Sequence, residues 1–263
     1  MVTKTNTAPR VLVLRAPGSN CDQEAAFAFE TAGARADLTH INRLLESPGL
    51  ANDYQILCLP GGFSYGDDIS AGRILANQMR RHLNATLQDF KSQGKLILGI
   101  CNGFQVLIKS GVLLPDSADE PIATLTNNER GKFEDRWVQL CVTSPKCVFL
   151  QGIDQLYLPV AHAEGKFVAR DAATLDKLHA AGQLVLRYRA EGQADSSNCP
   201  YPENPNGAQL NVAGICDDTG RVFGLMPHPE RHIDPTHHPR WTREKHERGD
   251  GLAVFENAVR FFN

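Results

Sequence analysis

The segment at residues 96–105 reads Leu96-Ile97-Leu98-Gly99-Ile100-Cys101-Asn102-Gly103-Phe104-Gln105. Its apolar run is typical of a strand that is buried on both faces of a sheet. The glycine-flanked residues that follow are typical of a sharp turn into a helix. Strand, turn and helix in this order make up part of a βαβ unit, which requires a parallel sheet covered by helices. The segment therefore predicts an α/β fold.

The chain repeats this alternation on both sides of the segment. Continuous apolar runs predict further strands, and amphipathic patterns between them predict helices. Before Pro115, the predicted strands cover 11–14, 36–41, 54–59 and 95–100, and the predicted helices cover 22–31, 71–92 and 104–109. Ser19 or Asn20 is expected to cap the first of these helices.

After Pro115 the apolar patterns become shorter and more alternating, which favours antiparallel strands. The predicted strands cover 137–142, 157–161, 183–188, 209–215 and 221–226, a loop covers 192–207, and an amphipathic helix at 250–262 closes the chain. We therefore predict a single α/β domain over 1–263, with a doubly wound, mostly parallel sheet, helices on both faces and a mixed or antiparallel extension. Two domains divided near Pro115 are the alternative.

The composition limits the classes of function. The 263 residues carry a formal net charge of −3, which argues against nucleic-acid binding, since such surfaces are usually basic. No run approaches the ~20 apolar residues of a membrane span, and the polar N-terminus has no signal-peptide core, so no membrane and a cytoplasmic location are expected. Seven cysteines without a C-x-x-C pair indicate reduced thiols rather than a zinc ribbon or a thioredoxin motif.

Cys101 is the predicted nucleophile. It lies between Gly99 and Gly103, in the cysteine form of the G-x-S-x-G nucleophile elbow. At a helix N-terminus the macrodipole and the free N–H groups favour a thiolate, and the N–H of Asn102 is placed to bind an oxyanion. The alternative is a buried structural cysteine in a tight turn. Cys21 is a rival nucleophile, but its turn lacks a second flanking glycine and no His–Glu pair is assigned to it.

His228 and Glu230 are the predicted base and its partner. A strand-like run ends in Met226-Pro227-His228-Pro229-Glu230. Pro229 favours extended geometry at His228, and residues two apart in an extended chain point the same way. The Glu230 carboxylate can therefore accept the N–H of the His228 ring and orient it, as the third member of a catalytic triad does. A surface His–Glu pair at a turn is the alternative.

Three histidines that follow, His232, His237 and His238, raise the question of a metal site. Their spacing fits no helical H-E-x-x-H arrangement, and two prolines interrupt the segment. We predict a solvated loop and no metal ligands here. The charged residues at 240–248 are predicted to form an exposed face of mixed charge.

Gly61 and Gly62 follow another predicted strand, in Leu59-Pro60-Gly61-Gly62-Phe63. Two glycines let a loop approach a ligand closely and point a backbone N–H at it. An ordinary turn is the alternative. The strand ends that carry Gly61, Cys101 and His228 are all expected at the carboxyl edge of the parallel sheet, where ligands bind in open α/β folds.

Together these segments resemble the class I (triad) glutamine amidotransferases, whose fold is flavodoxin-like. G-x-C-x-G and H-P-E mark that superfamily. Further segments resemble the family of glutaminase subunits of phosphoribosylformylglycinamidine synthase, which acts in purine biosynthesis. The matching segments, in the order of that family and spanning about 18–231, are Pro17-Gly18-Ser19-Asn20-Cys21-Asp22, Gly61-Gly62-Phe63-Ser64-Tyr65-Gly66-Asp67-Asp68, Asn128 with Gly131-Lys132-Phe133, Leu158-Pro159-Val160-Ala161-His162-Ala163-Glu164-Gly165, Asn204-Pro205-Asn206-Gly207 and Met226-Pro227-His228-Pro229-Glu230-Arg231.

The resemblance implies a glutaminase with a γ-glutamyl thioester intermediate. Cys101 would attack the carboxamide of glutamine, and His228, oriented by Glu230, would act as base and then as acid. The N–H groups of the Gly61-Gly62 turn and of Asn102 would form the oxyanion hole. The amino-acid end of glutamine would be held by Gln105 and Asn128.

The resemblance also implies partners. Ammonia would pass to a large synthetase subunit, and a small accessory subunit is a further expected partner. ATP and Mg²⁺ are expected in the synthetase, and no cofactor is expected in this chain. The alternatives are the glutaminase subunit of another amidotransferase, a cysteine hydrolase or peptidase with the same elbow, and a catalytically dead regulatory subunit. The last is disfavoured because the Cys–His–Glu set is intact.

Overall fold

The computed structural model describes residues 8–116, 120–193, 196, 199–244 and 247–263. Parts of the predicted 192–207 loop therefore lie outside the described residues, as do Lys245 and His246 of the predicted charged face.

The described residues form eleven strands and seven α-helices. The strands are β1 (Arg10–Arg15), β2 (Arg35–His40), β3 (Ile56–Leu59), β4 (Leu96–Ile100), β5 (Ala123–Thr126), β6 (Glu134–Val142), β7 (Gln155–His162), β8 (Lys166–Ala169), β9 (Leu186–Tyr188), β10 (Val212–Cys216) and β11 (Val222–Leu225). The helices are α1 (Asp22–Thr31), α2 (Ile41–Glu46), α3 (Arg73–Gln78), α4 (Asn84–Ser92), α5 (Asn102–Lys109), α6 (Ala172–Ala180) and α7 (Leu252–Arg260).

Nine strands form one sheet in the order β2-β1-β3-β4-β11-β10-β9-β6-β7. The five strands from β2 to β11 are parallel, and the four that follow are antiparallel. The predicted parallel sheet with an antiparallel extension is thus confirmed. Strands from both sides of Pro115 belong to this one sheet, because β11 pairs with β4 in parallel register.

Helices cover both faces of the parallel strands. The helix α1 packs against α7, where the rings of Phe29 and Phe255 meet edge to face with centroids 4.9 Å apart. The helix α3 packs against α5. The connection from β1 to β2 runs across the sheet in the opposite direction to the connection from β3 to β4. Because parallel crossovers are right-handed, α1 therefore lies on the face opposite to α3, α4 and α5. The doubly wound arrangement is therefore confirmed.

The predicted helix at 71–92 forms as α3 and α4 joined by a π-helical turn at Met79–Leu83. The predicted side-chain cap of α1 is wrong. Cys21 occupies the N-cap position without a capping side-chain bond. Ser19 instead accepts from the N–H of Ala16, and Asn20 accepts from the thiol of Cys21. The strands β5 and β8, which form a separate two-stranded sheet, and the helices α2 and α6 were not predicted.

The parallel strands place the predicted site residues at one edge of the sheet. β3 leads into Gly61, β4 ends directly before Cys101, and β11 leads into His228. Because these strands are neighbours and parallel, their carboxyl ends converge.

Candidate active site

Cys101 has a strained backbone, with φ 50° and ψ −104°. Positive φ is uncommon outside glycine and persists only where the surrounding structure holds it. The N–H of Cys101 donates to the carbonyl of Leu225 at 2.8 Å, which ties the turn to β11. A Cβ on Gly103 would overlap the carbonyl oxygen of Leu59. Close packing of the helix on β3 therefore requires this glycine and aims Cys101 at the sheet edge.

His228 and Glu230 form a buried pair. Nδ1 of His228 lies 2.6 Å from Oε1 of Glu230, and both side chains are shielded from solvent. The N–H of His228 donates to the carbonyl of Pro159 at 2.8 Å, which fixes the turn against β7. With Nδ1 engaged, the other ring nitrogen, Nε2, is buried without a hydrogen-bond partner among the described residues. The ring can therefore exchange a proton through Nε2.

The electrostatics of His228 favour its protonated form. Burial lowers the pKa of the imidazole, but the carboxylate of Glu230 and the sulfur atoms of Cys101 and Cys21 outweigh this effect, so the pKa lies well above its ordinary value. The structure therefore brings Cys101, His228 and Glu230 together. The Cys101 thiol is 3.6 Å from the carbonyl oxygen of Ala161, a residue of β7.

Cys21 also lies beside His228, which the sequence did not indicate. Its thiol donates to Oδ1 of Asn20 at 3.2 Å, and its sulfur accepts from Nη2 of Arg231 at 3.1 Å. No His–Glu pair was assigned to Cys21 from the sequence, and tertiary packing places the same pair beside both thiols. Burial raises the pKa of the Cys21 thiol. Cys21 also lacks the positive φ and the flanking pair of glycines that Cys101 has.

Cys21, His228 and Glu230 form the one described group of three side chains that could hold a metal ion, with ligand atoms within 4.8 Å of one another. Two of these side chains already bind each other, since Nδ1 of His228 is hydrogen-bonded to Glu230. The guanidinium of Arg231 at the Cys21 sulfur opposes a cation there.

The Gly61-Gly62 turn lies against the ring of His228. A Cβ on Gly61 would stand 2.8 Å from Cε1 of His228, so only glycine lets the ring approach this closely. Gly62 has φ +136°, a conformation that other residues rarely adopt. No hydrogen bond within the described residues uses the N–H groups of Gly61, Gly62 or Asn102. The hydrogen-bonding capacity of these three amides is therefore unused within the described part of the chain.

A pocket of about 180 Å³ lies at this sheet edge. Three predicted site residues line it, namely Gly62, Cys101 and His228. Cys21, the rival nucleophile, also lines it. The other lining residues, for which no role in the site was predicted, are Asn20, Phe63, Phe133, Asp135, Ala161 and Arg231. Arg231 directly follows Glu230 and was part of the matching segment, so its position next to the His228–Glu230 pair was the signal that could have found it.

The structure does not bring Gln105 and Asn128 to this pocket. The amide of Gln105 is buried, where it donates to the carbonyl of Glu164 and accepts from Nδ2 of Asn102 at 3.0 Å. Asn128 donates to the carbonyls of Lys132 and His162 and accepts from the N–H of Gly165. Both amides thus position loops around the site in this structure, and their contact with glutamine stays a prediction.

The tail behind the site differs from the predicted solvated loop. His232 and His238 are buried, and both rings lie against Trp137, at centroid distances of 5.0 and 5.8 Å. Nδ1 of His232 lies 2.7 Å from the carbonyl oxygen of Tyr157. The expectation is wrong for these two residues because the segment folds back onto the aromatic side chains of β6 and β7. His237 is exposed, as predicted.

Within the described ranges, no helix combines the length and the apolar character needed to cross a bilayer.

The chain is similar to known proteins over nearly its full length. A model of the CobB/CobQ-like glutamine amidotransferase domain matches residues 8–262. The chain is 48% identical to the phosphoribosylformylglycinamidine synthase subunit PurQ of Dehalococcoides mccartyi, over 96% of this chain and 97% of that one. It is 42% identical to PurQ of Methanococcus maripaludis strain S2, over 97% and 98% of the two chains.

Among solved structures, a chain of PurLQS from Thermotoga maritima aligns with a TM-score of 0.72 and 31% identity, covering 98% of this chain and 100% of that chain. Sequence and structure thus agree over nearly the full length. The chain belongs to the family of CobB/CobQ-like glutamine amidotransferase domains and, within it, to the PurQ subunits of phosphoribosylformylglycinamidine synthase.

Proposed function

We propose that this chain hydrolyses glutamine to glutamate and ammonia as the glutaminase subunit of phosphoribosylformylglycinamidine synthase. The observation that carries the proposal is the meeting of a strained cysteine elbow with a buried His–Glu pair. Cys101 is the N-cap residue of α5 with φ 50°, and the pair of His228 and Glu230 follows the adjacent strand β11. The family supplies the reaction, and these residues supply the groups for it.

Formation of the thioester requires a nucleophile and a proton carrier. The Cys101 thiol transfers its proton to Nε2 of His228, and the thiolate attacks the carboxamide carbon of glutamine. As the tetrahedral intermediate collapses, the C–N bond breaks and the imidazolium gives its proton to the leaving nitrogen, which departs as ammonia. Glu230 holds the ring and stabilises its positive charge during both transfers.

Hydrolysis of the thioester reverses these roles. His228 takes a proton from water, the hydroxide attacks the γ-carbonyl carbon, and the C–S bond breaks. Glutamate leaves, and the sulfur of Cys101 regains a proton from His228. In both steps the carbonyl oxygen becomes an oxyanion, which the free N–H groups of the Gly61-Gly62 turn and of Asn102 stabilise. Gln105 and Asn128 are proposed to hold the amino-acid end of glutamine, directly or through the loops they position.

The ammonia has an acceptor on another chain. The similar PurQ chains are subunits of phosphoribosylformylglycinamidine synthase, and the Thermotoga maritima structure is that of PurLQS. We infer that this chain delivers ammonia to a large synthetase subunit, with a small accessory subunit as a further partner. That synthetase uses ATP and Mg²⁺ to convert formylglycinamide ribonucleotide to formylglycinamidine ribonucleotide, and this chain needs no cofactor of its own.

Reconstitution with the synthetase subunit tests the function. Cys101→Ala should abolish synthesis of formylglycinamidine ribonucleotide from glutamine but preserve synthesis from free ammonia, because only the source of ammonia is removed. Retained glutamine-dependent synthesis in this variant would contradict the proposal.

A further inference from the structure

Residues 64–72, called here the 64–72 loop, begin two residues after Gly62 and have an unusual backbone. Tyr65, Asp67 and Ile69 have φ of 56°, 53° and 74°. A β-branched residue with positive φ, such as Ile69, is a genuine outlier. Such conformations persist only where contacts with the rest of the protein fix them. The contacts that hold the loop in this conformation therefore indicate its role.

The side chain of Asn102 makes the contacts at the start of the loop. Its Oδ1 accepts from the N–H of Ser64 at 3.3 Å, which fixes the orientation of the amide because a backbone N–H can only donate. Its Nδ2 then donates to Oδ1 of Asp67 at 3.1 Å and to Oε1 of Gln105 at 3.0 Å. Asn102 is buried, so these bonds are shielded from water.

A second set of contacts holds the end of the loop. The carboxylate of Glu164 accepts from the N–H of Ala71 at 3.3 Å, and Nζ of Lys109 donates to Oγ of Ser70 at 2.6 Å. Lys109 is the last residue of α5, and Asn102 is the first. Both ends of the 64–72 loop are thus attached to the helix that carries the nucleophile.

Asn102 combines two positions in one residue. Its backbone N–H is one of the free amides beside Cys101. Its side chain accepts from the N–H of Ser64, which lies two residues after Gly62, and the N–H of Gly62 is another of the free amides. The distance between the two halves of the oxyanion hole therefore depends on the bonds of this side chain. The Asp67 carboxylate fixes the amide of Asn102 from the side of the loop.

We propose that the Asn102 side chain, held by Asp67, is a positioning group that sets the Gly62 N–H in register with the Asn102 N–H for binding of the oxyanion. The inference rests on the proposed glutaminase function. It concerns the oxyanion and not the thiolate, so it predicts a loss in the reaction with glutamine without a loss in the reactivity of Cys101 toward an alkylating agent.

The test uses the full chain assembled with its synthetase subunit and compares Asn102→Ala, Asp67→Ala and the double variant. Asp68→Ala is the matched control, because Asp68 is the next acidic residue of the loop, is exposed and has no hydrogen bond or ion pair from its side chain among the described residues. Glutamate release gives kcat and KM, alkylation of Cys101 by iodoacetamide reports the thiolate, and thermal unfolding reports stability. Synthesis from free ammonia reports the integrity of the complex.

Both single variants should lose kcat, by up to the roughly 10²–10³-fold that loss of an oxyanion-hole donor costs. KM and the rate of alkylation should stay unchanged, and the double variant should be little worse than either single one, because both remove the same interaction. Additive losses, equal losses in alkylation and turnover, or single variants as active as Asp68→Ala would overturn the inference. If Cys101→Ala keeps glutamine-dependent synthesis, the proposed function fails instead.

Discussion

Oε1 of Glu230 lies 2.6 Å from Nδ1 of His228, and both side chains are buried. This carboxylate both orients the ring and raises its pKa. Glu230→Gln keeps an acceptor but removes the charge, so glutamine turnover should fall less than in Cys101→Ala or His228→Ala. In a serine-protease triad the corresponding difference is roughly two orders of magnitude. Steady-state glutamate release by the assembled complex measures this difference, and a Glu230→Gln enzyme as inactive as Cys101→Ala would contradict a role for Glu230 that is limited to supporting His228.

The same variant should change the pH dependence of turnover. The proton that His228 gives to the leaving nitrogen is lost as pH rises through the pKa of the ring. Because Glu230 raises that pKa, its removal should move the alkaline limb of the pH–rate profile to lower pH. The profile of kcat against pH for the wild type and Glu230→Gln checks this, and an unshifted limb would show that another group sets it.

The two thiols beside His228 should differ in reactivity. A chloroketone analogue of glutamine should alkylate Cys101 and stop glutamate release, because Cys101 begins a helix in a strained turn. Cys21 should stay unmodified, since burial raises the pKa of its thiol. Peptide mapping by mass spectrometry identifies the labelled residue. Cys21→Ser is the matched control and should still be labelled at Cys101, whereas labelling mainly at Cys21 would reverse the assignment.

These residues also show what the sequence can and cannot indicate. The elbow at Cys101 and the pair of His228 and Glu230 depend on neighbours within four residues, so local patterns predict them. Cys21 meets His228 only because β1 and β11 end at the same edge of the sheet. A local sequence pattern cannot predict a contact between two residues that are some two hundred positions apart.

The buried amides of Gln105 and Asn128 show the same limit of prediction from local sequence patterns. Gln105 and Asn128 occur in motifs that implied substrate contact, yet their partners, Glu164 and His162, are 59 and 34 residues away in the sequence. Likewise, the short strands β5 and β8 pair with each other across forty residues and carry too few apolar positions to stand out. Contacts of this range are set by tertiary packing.

The elbow glycines should be essential for stability. A Cβ on Gly103 would overlap the backbone of β3, so the helix would have to shift. Gly103→Ala should lower the free energy of unfolding by about 1–3 kcal/mol or more, the usual cost of overpacking. Gly49→Ala is the control, because a Cβ there meets no atom within 4 Å. Urea unfolding measures the free energy of unfolding of both variants, and equal stability of the two would show that the elbow accommodates the added Cβ.

His162 should make stability depend on pH. Burial, aided by the charge of His228, lowers the pKa of this ring from its ordinary 6.5 to about 3. Between these values the unfolded chain binds a proton that the folded chain does not, so the stability contribution falls as pH falls below 6.5. The slope approaches about 1.4 kcal/mol per pH unit.

His162→Gln should remove this slope, so its difference in unfolding free energy from the wild type should shrink as pH falls from 7 to 5. Urea unfolding at several pH values measures it. His179→Gln changes an exposed histidine of α6 and should leave the pH dependence of the wild type intact. A difference between wild type and His162→Gln that is constant over this range would contradict the assignment.

Glutamine hydrolysis should be activated by the synthetase partner. Ammonia released without an acceptor is lost, so a permanently active glutaminase would waste glutamine. The 64–72 loop offers a route for control, because Ile69 in the loop is 80% exposed and the loop begins two residues after Gly62. Glycine tolerates more than one orientation of its N–H. A partner that contacts the loop in only one arrangement shifts the population toward it.

The size of the effect follows from the oxyanion hole. If the Gly62 N–H points away from the oxyanion in the free chain, one donor is missing, which costs about 2.7–4 kcal/mol or roughly 10²–10³ in rate. Glutamate release by the purified chain should therefore rise by about this factor when the synthetase subunit, ATP and formylglycinamide ribonucleotide are added. Cys101 should be alkylated by iodoacetamide at the same rate in both states, since the thiolate is not what changes. A free chain that already turns over at the rate of the complex would exclude activation by the partner and would leave the Cys101–His228–Glu230 assignment untouched.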